Sequence, residues 1–358
     1  MPAMNKIKIG IIFGGRSGEH EVSLVSAGNV INALDKDRYE PHLIGITKDG
    51  EWIFGEDSLA ALKEGRAESQ GEDIIANLRE LDVVFPVLHG PYGEDGTIQG
   101  LFEIAGVPYV GCGVLASSVA MDKAMTKSVW DQAGLKQVKA LGLMRKDWEK
   151  DRDQSIYKLV SEINFPIFVK PANMGSSVGV SKAQDNKSLA EAIDLAFRFD
   201  RKIVVEEGLD IKEIEVAVLG NDDPEAAEPG EVLVAGDFYD FNDKYVDGKS
   251  SARIPAEIPE DKLAEAKELS IKAFKAVDGA GMARVDLFYQ EETGDFYLNE
   301  INTIPGFTEI SMYPKMWDCS GLPYSKLIDR LVELALERHK DKGRNEANFS
   351  SGSDWFKG

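Results

Sequence analysis

Apolar positions along the chain fall into short blocks separated by glycine and charge. Ile7 to Phe13 is a largely apolar run of strand length, the loop Gly14-Gly15-Arg16-Ser17-Gly18 interrupts it, and Leu24, Ala27, Ile31 and Leu34 then recur at helical spacing. Leu43 to Ile46 and Val83 to Leu88 predict further buried strands, and their alternation with helices predicts a parallel α/β domain. Val107 to Val110 predicts a short strand, after which composition shifts at Gly111-Cys112-Gly113. Met121 to Lys127 opens a helix that ends near Gly134, Phe165 to Pro171 and Ile203 to Glu207 read as strands, and Leu189 to Phe199 as an amphipathic helix between them. Glu213 to Leu219 alternates as a strand should. Pro259 to Val277 predicts a helix with Leu263, Ala266, Leu269, Ala273 and Phe274 inward, and Pro323 to Arg338 one with Leu327, Leu331 and Leu334 on one side. Asn221 to Gly230 is a polar loop, and Phe238 to Ser251, polar and aromatic without a period, has the character of a covering loop.

Late in the chain, Ala283 to Tyr289 and Phe296 to Asn302 are β-rich runs on either side of Glu292-Thr293-Gly294-Asp295, which has hairpin chemistry. If the runs pair antiparallel, Arg284 and Asp286 on one and Glu300 and Asn302 on the other project from one face. Asp286, Glu300 and Asn302 offer oxygen only, which suits Mg²⁺ or Mn²⁺ shared with substrate phosphates; the alternative is an ordinary solvated hairpin.

Composition narrows the partners. With 358 residues and 43% hydrophobic content the chain is globular and long enough for two or three domains. A net charge of -21 argues against nucleic acid and anionic membranes, both of which demand a basic footprint. No apolar run spans a bilayer and the start lacks a signal-peptide pattern, so a cytoplasmic location is expected. Cys112 and Cys319 are too few for a disulfide framework, and His20, His42, His89 and His339 lack metal-ligand spacing. Any phosphate must be held locally.

Several stretches offer the means. At the helix start after Gly18, Glu19 and Glu21 either complement the helix dipole or, in the sharper reading, Glu21 holds a substrate ammonium. His89 to Gly96 follows a strand directly, where open α/β sheets place ligands, although a lone histidine is more often structural. Lys170 closes an apolar strand and is fixed by Pro171, and the small-residue loop Asn173 to Val180 can close over phosphates through N–H groups and hydroxyls. It lacks the order of a Walker A loop. Glu206, at the end of its strand, could accept an adenine amino group while neighbouring backbone completes the pairing. Lys123 taken alone says little.

Taken together, GGRSGEHEVSL, LHGPYGEDG, MDK, FVKPANMGSSVGV, FYDFNDKY, ARVDLF and NEINTIPGFTEISMYP, in that order over residues 6 to 340, resemble the ATP-grasp superfamily and within it the D-alanine–D-alanine ligase family. The resemblance implies a three-domain α/β (α+β) ATP-grasp fold: an N-terminal parallel-sheet substrate domain over residues 1–112, a central subdomain over 113–207 and a C-terminal subdomain over 208–358 carrying the metal site. It implies a homodimer acting on ATP and D-alanine. Lys123 and Lys170 would touch the phosphates, Glu206, Leu209 and Glu213 would surround adenine and ribose, and Lys244 would meet substrate or phosphate. Asp286, Glu300 and Asn302 would hold two Mg²⁺ ions.

The resemblance also implies the chemistry. One D-alanine carboxylate attacks the γ-phosphate to give an acyl phosphate, and the amine of a second D-alanine then forms a tetrahedral oxyanion against Arg284 and the Gly306 N–H. Glu21 would hold the first ammonium with His89 nearby, and Ser311 with the backbone at Met312 the second carboxylate. Ser176 and Tyr245 would hydrogen-bond toward Glu21 and shut the site, excluding water from the acyl phosphate. In related vancomycin-resistance enzymes that make a D-lactate ester the Lys-Tyr pair is altered. Here Lys244-Tyr245 stands intact, which favours the dipeptide. Met174 and Glu207 depart from residues some relatives carry, and the second leaves nucleotide contacts at that position open.

Overall fold

The computed structural model describes residues 6–68, 71–233 and 251–346. The first sheet is built from β1 (Ile7–Gly14), β2 (Tyr39–Ile46), β3 (Trp52–Phe54) and β4 (Val83–Pro86) in the order β3-β2-β1-β4. β1 is parallel to β2 and β4, as the strand-helix alternation predicts, while β3 is an antiparallel edge strand too short to carry a period. Both faces of β1 are covered: Ile9, Ile11 and Phe13 pack with Leu24 and Ala27 of the helix His20–Ala33, and Ile12 packs with Ile98 and Phe102 of the helix Thr97–Ala105. The segment expected as a strand at Val107 to Val110 meets β4 through a single bridge, Val84 opposite Tyr109.

β5 (Ala140–Met144), β6 (Ile167–Pro171), β7 (Ser181–Ala183) and β8 (Lys202–Glu207) form an antiparallel sheet in the order β5-β8-β6-β7. The third sheet takes β9 (Lys212–Gly220), β10 (Glu225–Ala226), β11 (Gly230–Leu233), β12 (Ser251–Arg253), β13 (Gly281–Gln290) and β14 (Asp295–Asn302), ordered β12-β11-β9-β13-β14 with β10 beside β9. β9 is buried throughout Ile214 to Gly220, although its sequence alternates. Ile214, Val216 and Val218 pack beneath the helix Glu260–Ala276, and Ala217 and Leu219 beneath the helices Met312–Cys319 and Tyr324–Lys342. A strand covered on both faces cannot be half polar unless its polar residues find partners at the ends, which is where Glu213 and Glu215 sit.

The helix expected from Met121 is two, Val114–Met121 and Lys123–Gln132. Asp122, with ψ of 95°, ends the first and caps the second by accepting from the Met125 N–H, which fixes Lys123 at the first helical position. These two helices pack on the third sheet through Ala116, Ala120 and Trp130. Leu327, Ile328 and Leu331 share a core with Ile9 and Phe85 of the first sheet. The second sheet keeps its own core, drawn from residues between Leu141 and Val205. Among the described residues no helix is long and apolar enough to cross a membrane.

Candidate active site

A cleft of about 820 Å³ opens between the second and third sheets, with Phe168, Lys170 and Glu206 on one wall and Glu213, Asp286 and Glu300 on the other. Leu209 lines its edge.

The β13–β14 hairpin turns at Gly294, whose φ of 71° suits glycine. Its register sets Asp286 opposite Glu300 and Arg284 opposite Asn302, on one face. Between Asp286 and Leu287 the register slips, and because Leu287 pairs with Leu298, Asn299 is left as a bulge. Asn299 thereby joins the cleft lining, and its Oδ1 accepts from Lys170 Nζ at 3.1 Å. The sequence carries no signal for that residue beyond its neighbours, because a bulge breaks the period on which strand reading relies.

Arg284 donates to both oxygens of Asp286 at 2.7 Å each and lies 3.2 Å from Glu215. Burial works against its charge, but the Asp286 and Glu215 carboxylates hold its pKa well above the usual value. Asn302 Nδ2 donates to Asp286 Oδ2 at 3.0 Å. Glu300 lies 3.2 Å from Lys123 Nζ. Among the described residues no cluster of three or more His, Cys, Asp or Glu is placed to hold a metal. A hard divalent ion fits nonetheless: the Asp286 and Glu300 carboxylates both line the cleft, Asn302 is hydrogen-bonded to Asp286 beside them, and such ions complete their shell with water and phosphate oxygens.

The opposite wall is organised by Glu206, which is 2% exposed. Lys170 approaches it at 2.7 Å and Lys127 at 3.0 Å. Burial alone would raise the Glu206 pKa, and the two lysines instead hold it at about 2. Burial likewise opposes the Lys170 charge, which Glu206 restores and raises, whereas Lys127 stays below its ordinary value. In this arrangement the Glu206 carboxylate is the buried anion that holds two cations at the wall of the cleft. Lys127 escaped sequence reading because a lysine one helical turn after Lys123 looks like a solvated face. The same helix periodicity, with Trp130 inward three residues on, is the signal that places it inside.

Lys123 Nζ donates to the Met174 carbonyl at 2.8 Å, tying the helix start to the small-residue loop. In that loop Ser176 and Ser177 have φ of 50° and 58°, left-handed values that non-glycine residues rarely adopt. The Ser176 hydroxyl donates to Glu19, not to Glu21. Glu21 is 67% exposed and pairs with Lys48 at 2.5 Å, a hydrogen bond that lowers its pKa. The reason is helical geometry: His20 and Leu24 share the buried stripe, Glu21 and Val25 the exposed one. Glu19 precedes the helix, so the stripe does not bind it, and it reaches Gly175 and Ser176 of the cleft lining.

His89 is buried with both ring nitrogens engaged, Nδ1 on the Ile304 carbonyl at 3.0 Å and Nε2 on Ser26 Oγ at 3.2 Å. Both ring nitrogens are thus occupied within the protein, the arrangement of a structural histidine. Burial holds it below the ordinary imidazole range. Ser311 Oγ accepts from the Thr308 N–H at 2.9 Å, and a Cβ on Gly306 would come within 2.7 Å of that oxygen, so the loop needs glycine there. Met312 begins the following helix, with its N–H at the helix start. Lys244 and Tyr245 lie outside the described residues.

Lysines and oxygen donors on opposite walls of a cleft between two antiparallel sheets define the nucleotide site of an ATP-grasp protein. Residues 8–112 match the family described as D-ala D-ala ligase N-terminus and residues 129–333 that described as D-ala D-ala ligase C-terminus. The D-alanine--D-alanine ligase of Natranaerobius thermophilus is 47% identical over 364 residues, covering 97% of this chain and all of that one. That of Thermoanaerobacter sp. is 48% identical, covering 95% of this chain and 99% of its own. Among solved structures, the D-alanine-D-alanine ligase from Coxiella burnetii has a TM-score of 0.81 at 35% identity, covering 95% and 96% of the two chains. VanG D-Ala:D-Ser ligase from Enterococcus faecalis also has a TM-score of 0.81, at 34% identity, covering 92% and 100%. The chain belongs to the D-alanine–D-alanine ligase family.

Proposed function

We propose that this enzyme joins two D-alanines to D-alanyl-D-alanine for peptidoglycan precursor synthesis, converting ATP to ADP and phosphate. The observation that carries the reading is the order of groups along one cleft. Ser176 in the cleft lining holds Glu19, Asp286 and Glu300 in the same lining pair across the hairpin that carries Arg284 and Asn302, and Gly306 with Ser311 follows that hairpin on the same segment. Glu19 binds the ammonium of the first D-alanine, and Lys123 and Lys170 orient the phosphates beside its carboxylate. That carboxylate takes the γ-phosphoryl group as ADP leaves. The second amine then attacks the activated carbonyl, Arg284 and the Gly306 N–H receive the oxyanion, and phosphate departs with the electron pair of the C–O bond. Ser311 and the Met312 N–H orient the second carboxylate.

Asp286, Glu300 and Asn302 would hold Mg²⁺ or Mn²⁺, two ions per site, which supply neutralisation of phosphate charge when bound. Leu209 and Glu213 would border the nucleoside, and Lys244 and Tyr245 would complete closure. A cytoplasmic homodimer completes the reading, and a solution mass measurement tests that part. Purified protein with ATP, Mg²⁺ and D-alanine should release phosphate and the dipeptide. A panel with D-serine and D-lactate as acceptors separates it from the D-Ala:D-Ser relative. Phosphate release with L-amino acids alone would refute it.

A further inference from the structure

Glu94 lies in the loop that leaves β4 and is used by none of the steps above. Its two carboxyl oxygens each accept a backbone N–H, Gly90 at 2.8 Å and Ile304 at 3.0 Å. The Glu94 N–H in turn donates to the Gly90 carbonyl at 2.9 Å, so the loop is closed on itself before it reaches across to the C-terminal segment. His89, at the start of that loop, faces the Ile304 carbonyl through Nδ1. A carbonyl can only accept, so Nδ1 carries the proton and Nε2 accepts from the Ser26 hydroxyl. Ser26 Oγ then remains an acceptor for the Phe307 N–H at 3.4 Å. The Phe307 carbonyl is held as well, by Asn29 at 3.3 Å and by the Tyr324 hydroxyl at 2.9 Å. Ile304 and Phe307 are thus pinned at every backbone polar group by side chains from outside their own segment, four of them from the N-terminal domain or its edge.

Between the two pinned residues lie Pro305, which has no N–H, and Gly306. We infer that Glu94 is a positioning residue for amide formation: with His89 and Ser26 it fixes the Ile304 to Phe307 backbone, and so aims the Gly306 N–H at the developing oxyanion. The inference rests on the ligase reading, in which that N–H meets the tetrahedral species. It adds that the aim is set by the N-terminal domain, the domain that also carries Glu19. The two D-alanine positions are then one rigid piece. Without the clamp, the Gly306 loop would hang from β14 at one end and the helix Met312–Cys319 at the other, and a displacement of about 1 Å is enough to cost about 10²-fold in rate.

The clamp acts on the second half-reaction, and that separates it from a purely structural role. Glu94→Gln keeps the shape but turns an NH₂ toward one of the two backbone N–H groups. Glu94→Asp shortens the reach, and Ser26→Ala removes both the Phe307 anchor and the hydroxyl that His89 Nε2 accepts from. Each variant is assayed as the full chain with ATP, Mg²⁺ and D-alanine, measuring phosphate and dipeptide together, with hydroxylamine present to trap the acyl phosphate as the hydroxamate. The expected result is kcat for dipeptide down by about 10- to 100-fold, KM for ATP within about twofold, fewer dipeptides than phosphates released, and hydroxamate accumulating. One dipeptide per phosphate in all three variants, or activity lost only in proportion to folded protein, would overturn the positioning role. A wild-type enzyme that makes no dipeptide would instead overturn the ligase reading beneath it.

Discussion

Arg284 grips both oxygens of Asp286, two positions further along the same strand, at 2.7 Å each. The carboxylate that would face a divalent ion is therefore already oriented by the guanidinium that would face the oxyanion. Replacing Asp286 by Asn keeps the shape and removes the charge. Turnover should fall by at least about 10²-fold, because charge neutralisation at the phosphates is lost. Stability should fall as well, because buried Arg284 loses its bidentate carboxylate and keeps Glu215 at 3.2 Å, so turnover is compared per folded protein. The checks are a coupled ADP-release assay over a Mg²⁺ titration and the Mg²⁺-dependent shift in thermal midpoint, which the variant should lose. Near-normal activity would refute the metal assignment.

Glu19 and Glu21 make opposite predictions although they are two residues apart. Glu19→Gln should raise KM for the first D-alanine by about 10- to 100-fold, the loss of one charge-assisted hydrogen bond. Glu21→Gln removes only an exposed ion pair with Lys48 and should leave both kinetics and stability nearly unchanged. Steady-state kinetics at saturating ATP decides between them, and the reverse order of effects would restore Glu21 to the site.

Lys127 is predicted to matter without touching a ligand. Lys127→Met leaves Glu206 buried with Lys170 as its remaining close lysine among the described residues, at a cost of about 3 kcal/mol if it behaves like other broken buried pairs. KM for ATP should rise, because Lys170 is drawn toward the uncompensated carboxylate. In a double-mutant cycle with Glu206→Gln, the second change should recover part of the lost stability measured by urea unfolding. Strict additivity would mean the three groups do not act as a unit.

The Glu94 carboxyl predicts a pH dependence of stability. Burial, and then the neighbouring Glu19 carboxylate, push its pKa from an ordinary 4.5 up to about 8, against the Gly90 and Ile304 N–H groups and Arg284, which lower it. Between those values the folded state holds a proton that the unfolded chain has released. Stability contributed by this group therefore falls as pH rises from about 4.5 to about 8, by an amount on the order of a few kcal/mol. Urea midpoints at pH 5 and pH 8 should differ more for the wild type than for Glu94→Gln. An equal difference would show that Glu94 does not titrate there.

The sequence was most informative where one element decides a residue's place. The shared face of the hairpin could be read because its strands alternate and Gly294 fixes its turn, so Asp286 needed only an antiparallel pairing to stand opposite Glu300, and Arg284 opposite Asn302. Lys170 could be read because a strand end followed by proline has few orientations. Placement failed where it depends on a second element. Glu206 faces two lysines, one of them on a helix 79 positions earlier in the chain, and no local pattern links it to Lys127. His89 and Glu94 take their meaning from a loop more than 200 positions away. Glu21 is the instructive exception: Val25 and Leu24 together already define the exposed and buried stripes, and that information lay in the sequence.

The separate core of the second sheet has a mechanical consequence. Across the cleft it meets its neighbours through Lys127 on Glu206, Lys123 on Met174, Lys170 on Asn299, Lys202 on Asp122 and Ser176 on Glu19, all of them polar. The apolar packing stays within each half. Among the described residues, parting the two halves breaks ion pairs and hydrogen bonds that water can replace, and divides none of the apolar clusters. The seam between the halves is polar and the interiors on either side of it are apolar, a division that would let the halves part while each stays folded.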